Sequence, residues 1–237
     1  GANDCTLLEK FISHGAALIG IDPNVKSQNE KISCINDYIE NVDLSDHCKG
    51  KTVFLSSHTI EHIYDVRGFV KNLANSMKND DCLFLQFPSC ELLMKDFRFD
   101  QVHHQHLNYF SLTSIDRLLE TAGLRIVAHQ FDPSHYGALM CYIRKEERGE
   151  KPQEGISLTP EKFTAYYKNY VDQMAISDFV LSSWCDSGEG FYCYGASLML
   201  PILQYYMPMM DKATAVVDQD TKKHGLVYIN YDCIITG

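Results

Sequence analysis

Apolar residues recur along this chain with two alternating periods, one of a helix and one of a buried strand. Leu7, Leu8, Phe11 and Ile12 fall at helical spacing, and Gly15 follows as a stop signal. Ala16 to Ile21 is a short apolar run ending in Asp22-Pro23, the pattern of a buried strand leading into a turn. Val53 to Leu55 predicts a second strand. Val66, Phe69, Val70, Leu73 and Met77 mark a helix closed by the polar turn Lys78 to Asp81. Cys82 to Phe87 predicts a third strand, ended by Pro88. Ile115, Leu118, Leu119 and Ala122 form another helical stripe capped by Gly123. Leu124 to Val127 and Leu139 to Ile143 close the series as two strands. Short strands alternating with helices imply βαβ units and a mostly parallel sheet. Only the turn Asp132-Pro133-Ser134-His135 separates the final two strands, so there the pairing should be antiparallel.

From Glu146 to Ser157 the sequence is charged, holds glycine and proline, and lacks apolar periodicity, which predicts a linker. Beyond it, Thr159 is placed to cap a helix with Pro160 at its first position. Phe163, Tyr166, Tyr167, Tyr170 and Met174 carry that helix toward Trp184. A strand at Phe191 to Tyr194, a tight turn at Gly195-Ala196-Ser197, a helix from Leu198 and a strand at Ala213 to Val217 complete a smaller α/β unit. The organisation expected is thus a first domain over 1–145, a linker over 146–158 and a C-terminal unit over 159–237.

The 237 residues can bury a sizeable core. Twenty-one lysines and arginines oppose 31 acidic residues, a formal charge of -10 that repels polyanions. Nucleic acid and membrane are therefore not expected as partners, and a small molecule is. Nine cysteines, odd in number and never spaced C-x-x-C, argue against a disulfide framework or a zinc ribbon. With no apolar run of membrane-spanning length and no signal-peptide pattern, a cytoplasmic protein is expected.

The chemistry begins at the first residues. Gly1-Ala2-Asn3-Asp4 leads into the first predicted helix, and the next strand ends in Asp22. A glycine turn lets a ligand approach the backbone, and an acid closing the next strand can accept both ribose hydroxyls. That spacing serves any adenosine-containing cofactor. The run Gly1 to Leu8, followed by Gly20-Ile21-Asp22-Pro23, resembles the G-[SA]-N-D-G-T-L-L … G-[IV]-D-P pattern of class I S-adenosylmethionine-dependent methyltransferases that act on sugars. The resemblance implies a Rossmann-like α/β fold with a mostly parallel sheet, an antiparallel last strand and a first strand ahead of Gly1, missing here. It implies S-adenosylmethionine as cofactor, with Asp22 on the ribose, Gly1, Asn3 and Asp4 on the remainder, and Asp37 and Tyr38 at the adenine edge. Cys5 stands where the family has a second glycine.

Two histidine segments follow. His58-Thr59-Ile60-Glu61-His62 contains H-x-x-E-H, a zinc-peptidase pattern that would make a metal hydrolase of the chain. It directly follows a predicted strand, however, and resembles the S-H-[VT]-[LI]-E-H segment lining the methyltransferase cofactor cleft. His58, Glu61 and His62 are accordingly expected at the cofactor, with no metal. Val102 to Ser111 carries His103, His104 and His106, and three such imidazoles admit a metal site, a polar loop or a general base. The segment resembles the I-Y-H-E-H-x-S-Y-F-S motif of nucleotide-sugar C-methyltransferases. That places His106 as catalytic base, with Gln105, His103 and Tyr109 beside it and His104 toward the substrate. The family's tyrosine is His103 here and its glutamate is Gln105.

His135 and Gly137 match the family's H-G-G-S-L motif, implying a substrate role, while Tyr136 departs from it. Tyr192 to Ser197 and Val216-Val217-Asp218 resemble the family's C-terminal Y-G-A-S-x-K-G turn and V-V-D strand, without the lysine-glycine pair. Carbon methylation beside a ketone needs an enolate, and Gln105 cannot support an imidazolium by charge. The expected activity is methylation of a saccharide or nucleotide-activated sugar at carbon or oxygen. Alternatives are O-methylation of another small metabolite and a catalytically degenerate binding protein.

Overall fold

The computed structural model describes residues 1–27, 29–134, 137–145, 158–188 and 190–237. These residues separate into two compact units. The first comprises Gly1–Leu93 and His104–Leu158, and the second Met94–His103 with Thr159–Gly237. Met94–His103, inside the span read from sequence as the first domain, thus groups with the C-terminal residues. The linker predicted over 146–158 lies, apart from Leu158, outside the described residues.

In the first unit, β1 (Leu18–Ile21) pairs in parallel with β2 (Ile32–Ile35). A second sheet has the order β3-β4-β6-β5, formed by β3 (Val53–Ser57), β4 (Cys82–Pro88), β5 (Arg125–Asp132) and β6 (Ala138–Arg144). β3 and β4 are parallel, while β6 runs antiparallel to both β4 and β5. This is the Rossmann-like α/β class expected, with the antiparallel last strand inserted between its neighbours. The single continuous sheet is not seen: among the described residues no strand bridges β1 to β3. The backbone at Gly1-Ala2 reaches across instead. The Ala2 N–H donates to the Ile21 carbonyl at 3.1 Å, and a Cβ on Gly1 would collide with Thr59 Oγ1.

α1 (Thr6–Glu9), α2 (Val66–Ser76), α3 (Cys90–Lys95) and α4 (Leu112–Glu120) accompany these strands. α2 buries Phe69, Val70, Leu73 and Ala74 at i, i+1, i+4 and i+5, the stripe its sequence predicts. Asp65 caps it, accepting from the Gly68 N–H at 2.9 Å. α4 starts from a reciprocal Ser111–Ser114 capping box and buries Leu112, Ile115 and Leu119. Both helices feed one core with Ile60, Leu83, Leu85, Phe87, Leu139 and Ile143. The helix expected from Leu7 to Ile12 is instead the single turn α1 and a separate 3₁₀ turn at Ile12–His14. Neither buries a residue fully, and so short a piece lacks the packing that sustains helix in water.

In the second unit, β7 (Tyr192–Tyr194), β8 (Ala215–Val217) and β9 (Ile235–Thr236) form a parallel sheet in that order. α5 (Pro160–Asp186) begins as its sequence predicts, with Thr159 Oγ1 accepting from the Lys162 N–H and Pro160 in the first turn. α6 (Leu200–Tyr206) packs Leu200 beside Met210, Val216, Tyr231 and Ile235. Among the described residues no helix is long and apolar enough to cross a membrane.

Candidate active site

Asp22 follows β1, Asp37 and Tyr38 follow β2, and His58 to His62 follow β3. They therefore sit beyond the carboxyl ends of parallel strands, where open α/β sheets bind ligands. Asp22 ties the first turn to β1. Its Oδ2 accepts from the Asn3 N–H at 3.3 Å and its Oδ1 from the Asn24 N–H at 2.8 Å. Each carboxylate oxygen has two lone-pair sites, so both retain capacity for a hydroxyl. Asp4, one residue ahead of the Cys5 N-cap, accepts from the Thr6 N–H through Oδ1 at 3.0 Å, and that bond holds its carboxyl below the usual range. Asp37 Oδ1 accepts from the Tyr38 N–H and the Asn41 side chain, and Tyr38 is 62% exposed, open to stacking.

Cys5 occupies a left-handed backbone conformation, φ 63°, and Asn3 another at φ 46°. This explains why the corresponding family position carries glycine: an L-residue pays about 1–2 kcal/mol to enter that region. The Cys5 thiol faces the apolar interior. It is buried with Leu18, Val25 and Ile32, and a Cβ at Gly20 would lie 2.9 Å from its Sγ. Burial, with the Cys34 thiol nearby, pushes its pKa up. The turn from Gly1 to Asp4 is thus held from inside the fold, with its Ala2 and Asn3 N–H groups bonded to the Ile21 carbonyl and the Asp22 carboxylate, and the remaining acceptor capacity of Asp22 fits the ribose of an adenosyl group.

The two histidine segments, read separately along the sequence, form one site. The Leu107 and Asn108 N–H groups both donate to the Glu61 carbonyl, at 2.8 and 3.1 Å. Asn108 Nδ2 donates to the Ile63 carbonyl at 2.7 Å and reaches Ile60 at 3.4 Å. His62 Nδ1 lies 2.7 Å from the Gln105 carbonyl. A carbonyl only accepts, so the proton sits on Nδ1 and leaves Nε2 with the lone pair when the ring is neutral. The His62 and His106 ring centroids are 5.0 Å apart, and Tyr109 lies 6.2 Å from His106 edge-on. Beneath them Glu61 is 3% exposed. Its Oε1 is 3.4 Å from His58 Nδ1, and its Oε2 has no hydrogen-bond partner among the described residues. His58 itself has φ 48°, a strained conformation of the kind that concentrates at functional sites.

The remaining expected residues are placed differently. His104 and Gln105 are exposed on the same loop, and Gln105 contributes its backbone carbonyl rather than its side chain. His103 falls within the segment that groups with the second unit. Gly137 is a buried turn residue whose carbonyl accepts from the Ser89 N–H, and a Cβ on it would lie 2.8 Å from Leu92 Cβ. Packing thus accounts for that glycine. His135 lies outside the described residues. Asn108, which clamps the loop, is absent from the sequence reading; its one signal is a loop asparagine, a residue prone to bond nearby backbone.

The C-terminal Gly195-Ala196-Ser197 turn is filled from within. Asp218 Oδ2 accepts from the Ala196 N–H at 2.7 Å and from Lys223 Nζ at 2.9 Å.

A family model described as a methyltransferase domain matches residues 1–129. The curated relative C-methyltransferase NovU of Streptomyces niveus is 25% identical over 150 residues, 60% of this chain and 36% of NovU. The chain thus spans about a third of that relative's length. Among solved structures, human N-acetylserotonin methyltransferase is similar with TM-score 0.47 and 15% identity, over 61% of this chain and 46% of that one. The 1,6-didemethyltoxoflavin-N1-methyltransferase of Burkholderia thailandensis gives TM-score 0.45 and 14% identity, over 59% and 66%. Neither structural likeness bears on what this chain binds. With more than half of its length matched by the family model, the chain belongs to the methyltransferase domain family.

Proposed function

We propose that this chain methylates a saccharide or nucleotide-activated sugar, with His106 as the general base. S-adenosylmethionine is the methyl donor. The observation that carries the base assignment is the convergence of His106 and His62 above the buried Glu61. Asp22 holds the ribose hydroxyls, and Gly1, Asn3 and Asp4 line the remainder of the donor. Asp37 and Tyr38 border the adenine, and His58, Glu61 and His62 line the cleft. His104 and Gly137 belong on the acceptor side in this reading, and Gln105 and Tyr109 flank the base. The methyl-transfer domain lies within residues 1–145, apart from Met94–His103, and 159–237 belong to an appended α/β unit.

The donor supplies an activated methyl on a sulfonium, which leaves as a neutral thioether. The chain's own task is to align the acceptor and take its proton, and positioned proton transfer contributes about 10²–10⁴-fold. His106 receives that proton from a hydroxyl or from carbon beside a ketone. Glu61 supplies, from below, a carboxylate that Gln105 does not. The name of NovU supports carbon as the methylated atom.

Incubation of the chain with S-adenosylmethionine and nucleotide sugars in heavy water, followed by mass spectrometry, tests the reading. Methylated sugar is expected, with deuterium beside the ketone if carbon is the acceptor. His106→Ala should abolish turnover and leave donor affinity nearly unchanged. A variant that keeps most of its rate overturns the base assignment.

A further inference from the structure

One ligand atom from each of Glu61, His62 and His106 lies within 4.8 Å of the others. Ligands of a tetrahedral zinc with bonds of about 2.0–2.1 Å stand roughly 3.3 Å apart, so modest side-chain rotation closes the set. Three further features point the same way. Glu61 Oε2 is buried and has no hydrogen-bond partner among the described residues, an arrangement that is costly for a carboxylate unless a cation meets it. His62 donates its Nδ1 proton to the Gln105 carbonyl, the outer-sphere bond that metal-binding histidines characteristically make, and so presents Nε2. His62 is exposed and His106 partly so, which gives an ion a path to the buried carboxylate. The H-x-x-E-H pattern would pair His58 with His62, whereas the fold exchanges His58 for His106, a residue 45 positions beyond Glu61.

We propose that Glu61, His62 and His106 bind one divalent cation of the zinc class, and that occupation inhibits methyl transfer by engaging His106. Two imidazoles and a carboxylate suit zinc or cobalt over magnesium or calcium. The inhibitory half rests on His106 acting as the base, since a nitrogen lone pair that holds a metal cannot also accept a proton. The binding half stands without it.

Titration of the full chain with Co²⁺, followed by visible absorption, reads binding without any turnover. One ion per chain is expected. Glu61→Gln and His106→Ala should each weaken it by more than the 10–100-fold typical of losing an outer-sphere partner, while His129→Ala, on β5, should not. Circular dichroism checks the fold, and because His106 is partly exposed its variant keeps the test decisive if Glu61→Gln does not fold. Absence of cobalt bands, or binding indifferent to both substitutions, overturns the site. Zn²⁺ should then lower turnover and a chelator restore it. Binding that leaves turnover unchanged or raises it upholds the site but overturns both the inhibition and the base assignment.

Discussion

The Asn108 side chain donates to the Ile63 carbonyl at 2.7 Å, joining two loops 45 residues apart. With the Leu107 and Asn108 N–H groups on the Glu61 carbonyl, it sets the distance between His106 and His62. Asn108→Ala removes the side-chain bond but keeps the backbone ones. A partly buried carbonyl left unpaired costs about 1–3 kcal/mol, so thermal unfolding should shift down while the fold persists. Turnover should fall more than donor affinity, because the residue holds the base and not the cofactor turn. Equal losses in both, from kinetics and calorimetric titration, would count against this.

Gly137 meets two constraints at once, φ 85° and the nearby Leu92 Cβ. Gly15 has φ 70° with nothing within 4 Å of a Cβ. Gly15→Ala should therefore show only the conformational cost, about 1–2 kcal/mol. Gly137→Ala should lose about 1–3 kcal/mol more through overpacking. Chemical denaturation of the two variants side by side checks the difference, and equal losses would remove the packing explanation.

Asp218 predicts how the second unit answers acid. Bonds from the Asp220 N–H, the Lys223 ammonium and the Ala196 N–H hold its carboxyl down at about 2, against an ordinary 3.8. A lowered folded-state value stabilises above the unfolded one, and that contribution is lost as pH falls from about 4 through 2. The single tryptophan, Trp184, lies on α5 of this unit and reports its unfolding. Asp218→Asn should lower stability at neutral pH and flatten the acid decline in Trp184 fluorescence. An unchanged acid profile would show that the turn does not depend on this charge.

Much of the fold was legible because its signals are local. The α2 stripe, the Thr159-Pro160 start of α5 and the alternation that produced β3 and β4 each depend on neighbours a few residues away. What escaped was short or long-range. β2, with Ser33 and Cys34 exposed between two isoleucines, has too few apolar positions to show a period, and β9 has two residues. α1 looked longer than it is because Leu7, Phe11 and Ile12 repeat helically yet are not fully buried. The sequence also displayed both histidine segments but not their meeting. That contact spans more than 40 residues and depends on Asn108 and on backbone carbonyls, which no side-chain pattern reveals.

The left-handed turn at Cys5 has a consequence at the other end of its packing contact. Its sulfur and the bare Cα of Gly20 share one small volume, with Ala2 and Val25 at 3.1 and 3.3 Å from any Cβ placed there. Glycine at position 5 would relax the backbone while opening a gap beneath β1, and alanine at position 20 could then enter with shifts of a few tenths of an ångström. With Cys5 in place, the same alanine also forces the sulfur to move. Substitutions at these two sites are therefore coupled, and the order in which a lineage or an experimenter makes them decides whether the intermediate is tolerated.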